Sequence, residues 1–92
     1  MIVEGKKNLK AIASDIAEGY ITVNPLFLKH FNEESLKALY SSVMRAQTGI
    51  RIEPFPYHEV ALIRKRNLKL QRLYGALIVI KNVARDRRYK FY

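Results

Sequence analysis

One long helical pattern runs through the C-terminal half of the chain, from about Tyr57 to about Ala84. No proline interrupts it, and the helical period continues across Gly75. At 100° per residue, one side of this helix carries a stripe of apolar residues: Val60, Ile63, Leu70, Leu73, Tyr74 and Leu77. Three basic residues fall on the opposite side: Lys65, Lys69 and Arg72. A basic amphipathic helix of this kind suits three roles: a DNA-reading helix, a solvated surface helix, or the spine of a protein assembly.

The segment GALIVI, residues 75–80, is apolar on every side of the predicted helix. A helix that is apolar all round is buried all round, and in so short a chain this implies burial against a second chain. The alternative is a strand over 76–80 paired with 87–92, because Ile, Val and Tyr favour sheets. We favour the helix, since the helical period is kept from Leu70 to Leu77.

The length of 92 residues indicates one domain, 1–92, with a thin margin of stability. There is no cysteine, which excludes disulfides and thiolate metal sites, and 49% hydrophobic residues exclude a disordered chain. The sequence shows no charged-then-apolar leader and no run of eighteen apolar residues. We therefore expect a soluble, cytoplasmic protein, associated with the nucleoid, or nuclear if the source is eukaryotic.

The net charge of +9 is concentrated in the second half of the chain. Residues 1–46 hold 6 basic and 5 acidic residues, a net +1, whereas residues 47–92 hold 11 basic and 3 acidic residues, a net +8. A C-terminal half with this positive charge attracts phosphates or an acidic protein surface. The charge alone does not distinguish between these partners.

Two helices are predicted in the first third of the chain. Residues 7–18 carry apolar residues at helical spacing, and Gly19 is a typical C-terminal stop. After an extended connector at 20–23, Asn24 and Pro25 resemble an N-cap and first helical position. They predict a short helix that runs through Phe31.

A third helix is predicted to start at Asn32 and to stop at Thr48-Gly49. Its apolar stripe is formed by Leu36, Leu39, Tyr40, Val43 and Met44. The two prolines in residues 50–56 then predict an extended connector to the long helix. The predicted fold class is therefore all-α, a small bundle of about four helices with one long C-terminal helix and a tail or linker at 86–92.

No catalytic or metal-binding set is visible. His30 and His58 lie in different segments, and neither has a second ligand at metal-binding spacing. The four glycines are scattered and form no phosphate-binding loop. We therefore predict a protein that is not an enzyme and needs neither cofactor nor metal.

The basic residues of the second half are candidates for contact with phosphates or with an acidic partner. This group comprises Lys65, Lys69, Arg72, Arg85, Arg87 and Arg88. Arg66 and Asn67 differ, because they lie at the edge and in the middle of the apolar stripe. Polar groups there need hydrogen-bond partners, which a neighbouring helix would supply. The terminal RDRRYKFY is basic and aromatic, suited to stacking on single-stranded bases or to docking elsewhere.

The order of these features resembles the helical A domain of GINS, the tetrameric replication complex. The resemblance rests on the helix start at Phe31–Leu36, the proline-containing connector at 52–56 and the pair Tyr57-His58. Its most specific part is the stretch Leu62–Asn67, LIRKRN, followed by Leu73-Tyr74. It covers roughly residues 7–85 and matches the subunit type in which a small β-rich B domain follows. The chain ends where that domain would begin.

The resemblance implies a scaffold subunit without enzymatic activity. Its partners would be sister GINS subunits, in a homo- or heterotetramer, and the MCM helicase, with DNA contacted indirectly. The B domain helps to engage a RecJ-like partner in the family, so that contact is not expected from this chain alone. The source is expected to be archaeal. The predicted subunit interface comprises Arg64, Arg66, Asn67, Leu70, Leu73, Tyr74, Leu77 and Ile80. The alternative function is a small basic nucleic-acid-binding protein, of winged-helix type if 76–92 forms a hairpin.

Overall fold

Three α-helices, each packed against the other two, form the part of the chain that the computed structural model describes, residues 8–92. They are α1 (Leu9–Glu18), α2 (Glu33–Ile52) and α3 (Val60–Asp86). No strand is present in residues 8–92. The all-α class is thus confirmed, with three helices in place of about four. No helix in this range combines the length and the apolar character needed to span a membrane.

The helices α2 and α3 form an antiparallel hairpin, and α1 packs against both. The antiparallel arrangement follows from Arg87, just past the end of α3, which reaches the carbonyl of Phe31, just before α2. Six large side chains are completely buried between the helices: Leu28, Leu36, Leu39, Val43, Leu73 and Ile80. The molecule is elongated, 44 × 24 × 19 Å, because α3 at about 1.5 Å per residue is roughly 40 Å long.

The predicted end of α1 at Glu18 is confirmed, but its first helical residue is Leu9, because Asn8 is extended and serves as the N-cap. Asn8 caps its first turn by accepting from the amide of Lys10, while position 7 of the predicted helix lies outside the described residues. At the other end, the amides of Gly19 and Tyr20 donate to the carbonyls of Ile16 and Asp15. This is a Schellman cap, which needs a left-handed residue at Gly19, where φ is +88°.

The short helix predicted after Asn24 is wrong. The side chain of Asn24 does accept from the amide of Phe27, at 2.7 Å, and its carbonyl accepts from Leu28. The segment, however, stays a series of turns through residue 30. The carbonyls of Leu28 and Phe31 accept from the Arg87 guanidinium, and the Leu28 carbonyl also accepts from the Phe31 amide, so tertiary contacts supplement the local turns here.

The start of α2 is as predicted, but its end is not. Asn32 and Ser35 form a reciprocal capping box. The helix continues through Gly49, which is in helical conformation, and ends only at Ile52. Glu53 has ψ 147° because a residue before proline avoids the helical region. The connector is therefore 53–59, and residues 50–52 of the predicted extended segment are helical.

The helix α3 begins three residues later than predicted and ends two residues later. It continues through Gly75, so the strand predicted as an alternative at 76–80 is wrong. Its buried side chains form a core face: Leu73, Ala76, Leu77, Ile80, Val83 and Ala84. The predicted apolar stripe is rotated from this face, since Val60 is 68% and Tyr74 60% exposed. The segment 75–80 is likewise not buried all round: its Ile78 is 42% exposed.

Residues 87–92, predicted as a tail or linker, fold back onto the bundle. Arg88 takes the left-handed conformation, with φ 67°, and the amide of Tyr89 donates to the carbonyl of Ala84 at 2.8 Å. Tyr89 and Phe91 then pack against the core, with the Phe91 ring 5.5 Å from that of Tyr40. This segment therefore contributes to the fold.

Candidate protein interaction surface

The helix α3 presents a second face, opposite its core face, to solvent. Residues spaced three or four apart define this outward face: Val60, Arg64, Asn67, Gln71, Tyr74 and Ile78. All six are exposed. The face is apolar at both ends and polar in the middle, which is unlike an ordinary solvated surface dominated by charged residues.

A shallow groove of about 340 Å³ lies on the first half of the outward face. Its lining residues all belong to α3: Val60, Ile63, Arg64, Asn67, Leu68 and Gln71. The groove contains no carboxylate, and Arg64 is its only charged lining residue. It is open along its length, so it suits an extended ligand surface better than a small molecule.

The connector between α2 and α3 adds an exposed aromatic cluster at the end of the hairpin. Tyr57 is 76% exposed, and its ring packs against that of Phe55 at 4.9 Å. The guanidinium of Arg66 lies over the Phe55 ring, 5.1 Å from its centroid. The Arg66 Nε atom is buried and has no hydrogen-bond partner within residues 8–92. Ile52, the last residue of α2, is also exposed.

Several of the basic residues proposed for partner contact bind the chain itself. The Lys69 amine lies 3.2 Å from the Glu18 carboxylate, and the Arg72 guanidinium donates to the Ala17 carbonyl at 2.9 Å. Both therefore hold the last turn of α1 against α3, where the sequence pattern placed them on the side away from the core. Arg87 is similarly occupied, with bonds of 2.6 and 3.0 Å to the Phe31 and Leu28 carbonyls.

The other members of that group are on the surface. Lys65 and Arg88 are exposed, and Arg85 donates to the side chain of Asn82 at 2.8 Å. The candidate basic surface is therefore not one continuous patch, since four of its six predicted members have a partner within the chain and three of these bind another segment.

The predicted subunit interface is divided between the two faces of α3. Leu73, Leu77 and Ile80 belong to the chain's own core. Leu70 and Arg66 are half-buried. The remaining three predicted residues lie on the outward face: Arg64, Asn67 and Tyr74. The structure thus brings together only part of the predicted set.

Sequence reasoning missed some of this surface. Gln71 and Ile78 complete the outward face, and the connector's Phe55 and Tyr57 form the aromatic cluster. The three-and-four spacing from Val60 to Ile78 was a usable signal for the face. Nothing in the sequence indicated that Arg66 would stack on Phe55.

Apolar, amide, guanidinium and aromatic side chains make up this surface. Within residues 8–92, no three His, Cys, Asp or Glu residues are grouped as metal ligands would be. His30 and His58 are both exposed. No protein-family model, curated protein or solved structure matches the chain.

Proposed function

We propose that this chain is a non-catalytic scaffold domain that acts by assembling with other protein chains. The observation that carries the proposal is the exposed apolar character of α3 outside the core. Val60, Tyr74 and Ile78 are 68%, 60% and 42% exposed along one face of this helix. Exposed apolar surface arranged along an element is typical of protein–protein interfaces.

The free energy available from burying these exposed side chains supports a docking surface. Burying an exposed side chain such as Val60, Tyr74 or Ile78 contributes about 1.5–3 kcal/mol when burial is complete. Aromatic residues and arginine are enriched among the residues that dominate binding energy. The cluster at the hairpin end has this composition, with Phe55, Tyr57 and Arg66. Phe55 and Tyr57 lie in the connector that leads into α3, and Arg66 lies within α3.

We further propose that the assembly is a GINS-like replication complex that supports the MCM helicase. The most specific part of the sequence resemblance, 62–67 and 73–74, lies within α3, the helix that carries the exposed face. Sister subunits would pack against the outward face through Arg64, Asn67 and Tyr74. A tetramer with different sister subunits would be held by these contacts, without catalysis by this chain.

The experiment is sedimentation of the chain alone and with co-expressed candidate sister subunits, at low and high salt. A salt-resistant tetramer is the expected result, because apolar contacts are little affected by ionic strength. Tyr74→Ser is expected to weaken assembly. Tyr20→Ser is the matched control, since Tyr20 is 79% exposed but lies in the connector after α1. Equal effects of the two substitutions would contradict the proposed face.

The alternative, nucleic-acid binding, is supported by one observation: α3 carries seven basic and no acidic residues between Val60 and Arg85. Binding to DNA would fall steeply with rising salt, in proportion to the phosphates neutralised. A salt-indifferent monomer that shifts only with DNA, and releases it at high salt, would favour this alternative. The hairpin over 76–92 on which its winged-helix form depends is not formed, because 76–86 is helical.

A further inference from the structure

Resting on the proposed scaffold function, we infer that the groove at 60–71 receives an acidic amphipathic helix from a different protein chain. The groove is built from one helix, with lining residues at positions i, i+3, i+4 and i+7. Four residues at this spacing form the hole that accepts one side chain of a facing helix. The groove therefore follows the helical repeat of α3 and can accept side chains of a facing helix.

Two such holes follow one another along the groove. The first is formed by Val60, Ile63, Arg64 and Asn67, and the second by Arg64, Asn67, Leu68 and Gln71. Two successive apolar side chains of a facing helix would fill them. Asn67 belongs to both holes, and a polar amide at such a position fixes the register of the facing helix.

The charge of the groove selects the chemistry of that helix. Arg64 also belongs to both holes, is exposed, and makes no hydrogen bond or ion pair within residues 8–92. By contrast, Arg72 and Arg87 on the other side of the helix bind backbone carbonyls. We expect a facing helix that covers Arg64 to supply a carboxylate, because a buried cation without a partner is strongly unfavourable and a carboxylate is the strongest side-chain acceptor for a guanidinium.

The same face of α3 on a second copy of this chain does not meet that requirement. Two copies of α3 packed through this face would oppose Arg64 to Arg64, with no acidic residue between Val60 and Arg85 on either copy to pair with it. Like charges across an interface are repulsive. The occupant is therefore a helix with Asp or Glu beside its apolar residues, carried by another protein.

The test uses two synthetic helical peptides about three heptads long with the same leucine seam. One carries Glu beside the seam and the other Lys. Binding to the full-length chain, labelled with ¹⁵N, is followed by amide chemical shifts. We expect the Glu peptide to bind, with the largest shifts at residues 60–71, and the Lys peptide not to bind. Largest shifts elsewhere, at α1 or the connector 53–59, would overturn the inference.

A matched pair of charge reversals tests the specific role of Arg64. Arg64→Glu and Lys65→Glu change the net charge equally, but Lys65 does not line the groove. Arg64→Glu is expected to weaken the Glu peptide roughly tenfold or more and to permit binding of the Lys peptide. Lys65→Glu is expected to have a much smaller effect. Equal losses would mean that only overall charge matters, and the inference would fail.

Further outcomes distinguish an acidic helix from the other possible occupants of the groove. Concentration-dependent dimers of the chain alone, disrupted by Arg64→Glu, would assign the groove to a second copy and overturn it. Single-stranded DNA that shifts the amide signals of residues 60–71 and binds more tightly than the Glu peptide would also overturn the inference. If Tyr74→Ser breaks assembly with sister subunits while Arg64→Glu binds the Glu peptide normally, the scaffold function stands and the inference about the groove fails.

Discussion

Gly19 is constrained both by its backbone and by the space around it. Its φ of +88° favours glycine, and a Cβ built there would lie 3.0 Å from the Arg72 guanidinium carbon. We predict that Gly19→Ala lowers the free energy of unfolding by about 1 kcal/mol or more. The loss combines left-handed strain with displacement of Arg72 from the Ala17 carbonyl. Urea unfolding followed by circular dichroism measures it.

Gly49→Ala is the control for this substitution. Gly49 is helical, and a Cβ there would meet nothing within 4 Å. Alanine is about 0.5–1 kcal/mol better than glycine in a helix interior, so stability should rise. A rise in stability at both positions would show that the cap at Gly19 does not depend on its left-handed conformation.

Arg88 takes the left-handed conformation without being a glycine. Its φ of 67° lets the Tyr89 amide donate to the Ala84 carbonyl, which closes the end of α3. We predict that Arg88→Gly raises the free energy of unfolding by about 0.5–1 kcal/mol, because glycine relieves the left-handed strain. Arg88→Val, which is β-branched, should lower it. Thermal unfolding of the three proteins gives the order, and a more stable Val variant would contradict this interpretation.

At the scale of elements, Arg87 joins the end of α3 to the loop before α2. Its guanidinium donates to the carbonyls of Phe31 and Leu28, and the Leu28 carbonyl also accepts from the Phe31 amide. Arg87→Ala is predicted to lower the free energy of unfolding by about 1–3 kcal/mol, since the Phe31 carbonyl loses this donor and the Leu28 carbonyl loses one of its two. Arg87→Lys should recover only part of this loss, because one amine does not reproduce the planar fork.

Urea unfolding measures both Arg87 variants, with Lys90→Ala as the control. Lys90 is exposed and has no recorded ion pair among residues 8–92, so its removal should change stability little. If Arg87→Ala and Lys90→Ala behave alike, the loop before α2 is not held by Arg87.

The ends of the helices were largely readable from the sequence, because capping is local chemistry. Asn32 and Gly19 each act through atoms a few residues away, and both were identified correctly. Gly49 was misread as a stop, because glycine ends a helix only when its backbone turns left-handed. Pro54, which restricts Glu53, was the stronger signal. The helix predicted after Asn24 is wrong for another reason. Carbonyls at the end of this segment bind Arg87, which lies more than fifty residues away in the sequence.

The orientation of α3 was less predictable than its existence. Its sequence supports two apolar faces, one with Leu73 and Ile80 and one with Val60 and Tyr74. Periodicity alone averages such faces into one stripe. The difference depends on where α1 and α2 lie, and for the same reason the contacts of Lys69 and Arg72 with α1 were not foreseen. The sequence accordingly predicts the kinds of side chain in the candidate site, but only some of the residues that form it.

For the whole molecule, burial is concentrated at one end. No residue between Ile52 and Lys69 is fully buried, whereas from Leu73 onward α3 is part of the core. The hairpin end, with the connector and the first turns of α3, is therefore tied to the bundle by few apolar contacts. This is also the end that carries the groove and the aromatic cluster. A binding surface on a weakly supported element can be stabilised by the partner that covers it.

This distribution predicts a gradient of amide hydrogen exchange along a single helix. Amides in the first half of α3, up to Leu68, should exchange through local opening, at free energies well below that of global unfolding. Amides from Leu77 to Ala84 should approach the global value, as should those around Leu39 in α2. Native-state exchange with increasing denaturant measures both halves in one experiment. Uniform protection along α3 would mean that the helix opens only when the core does, and the hairpin end would then be a rigid extension of the bundle.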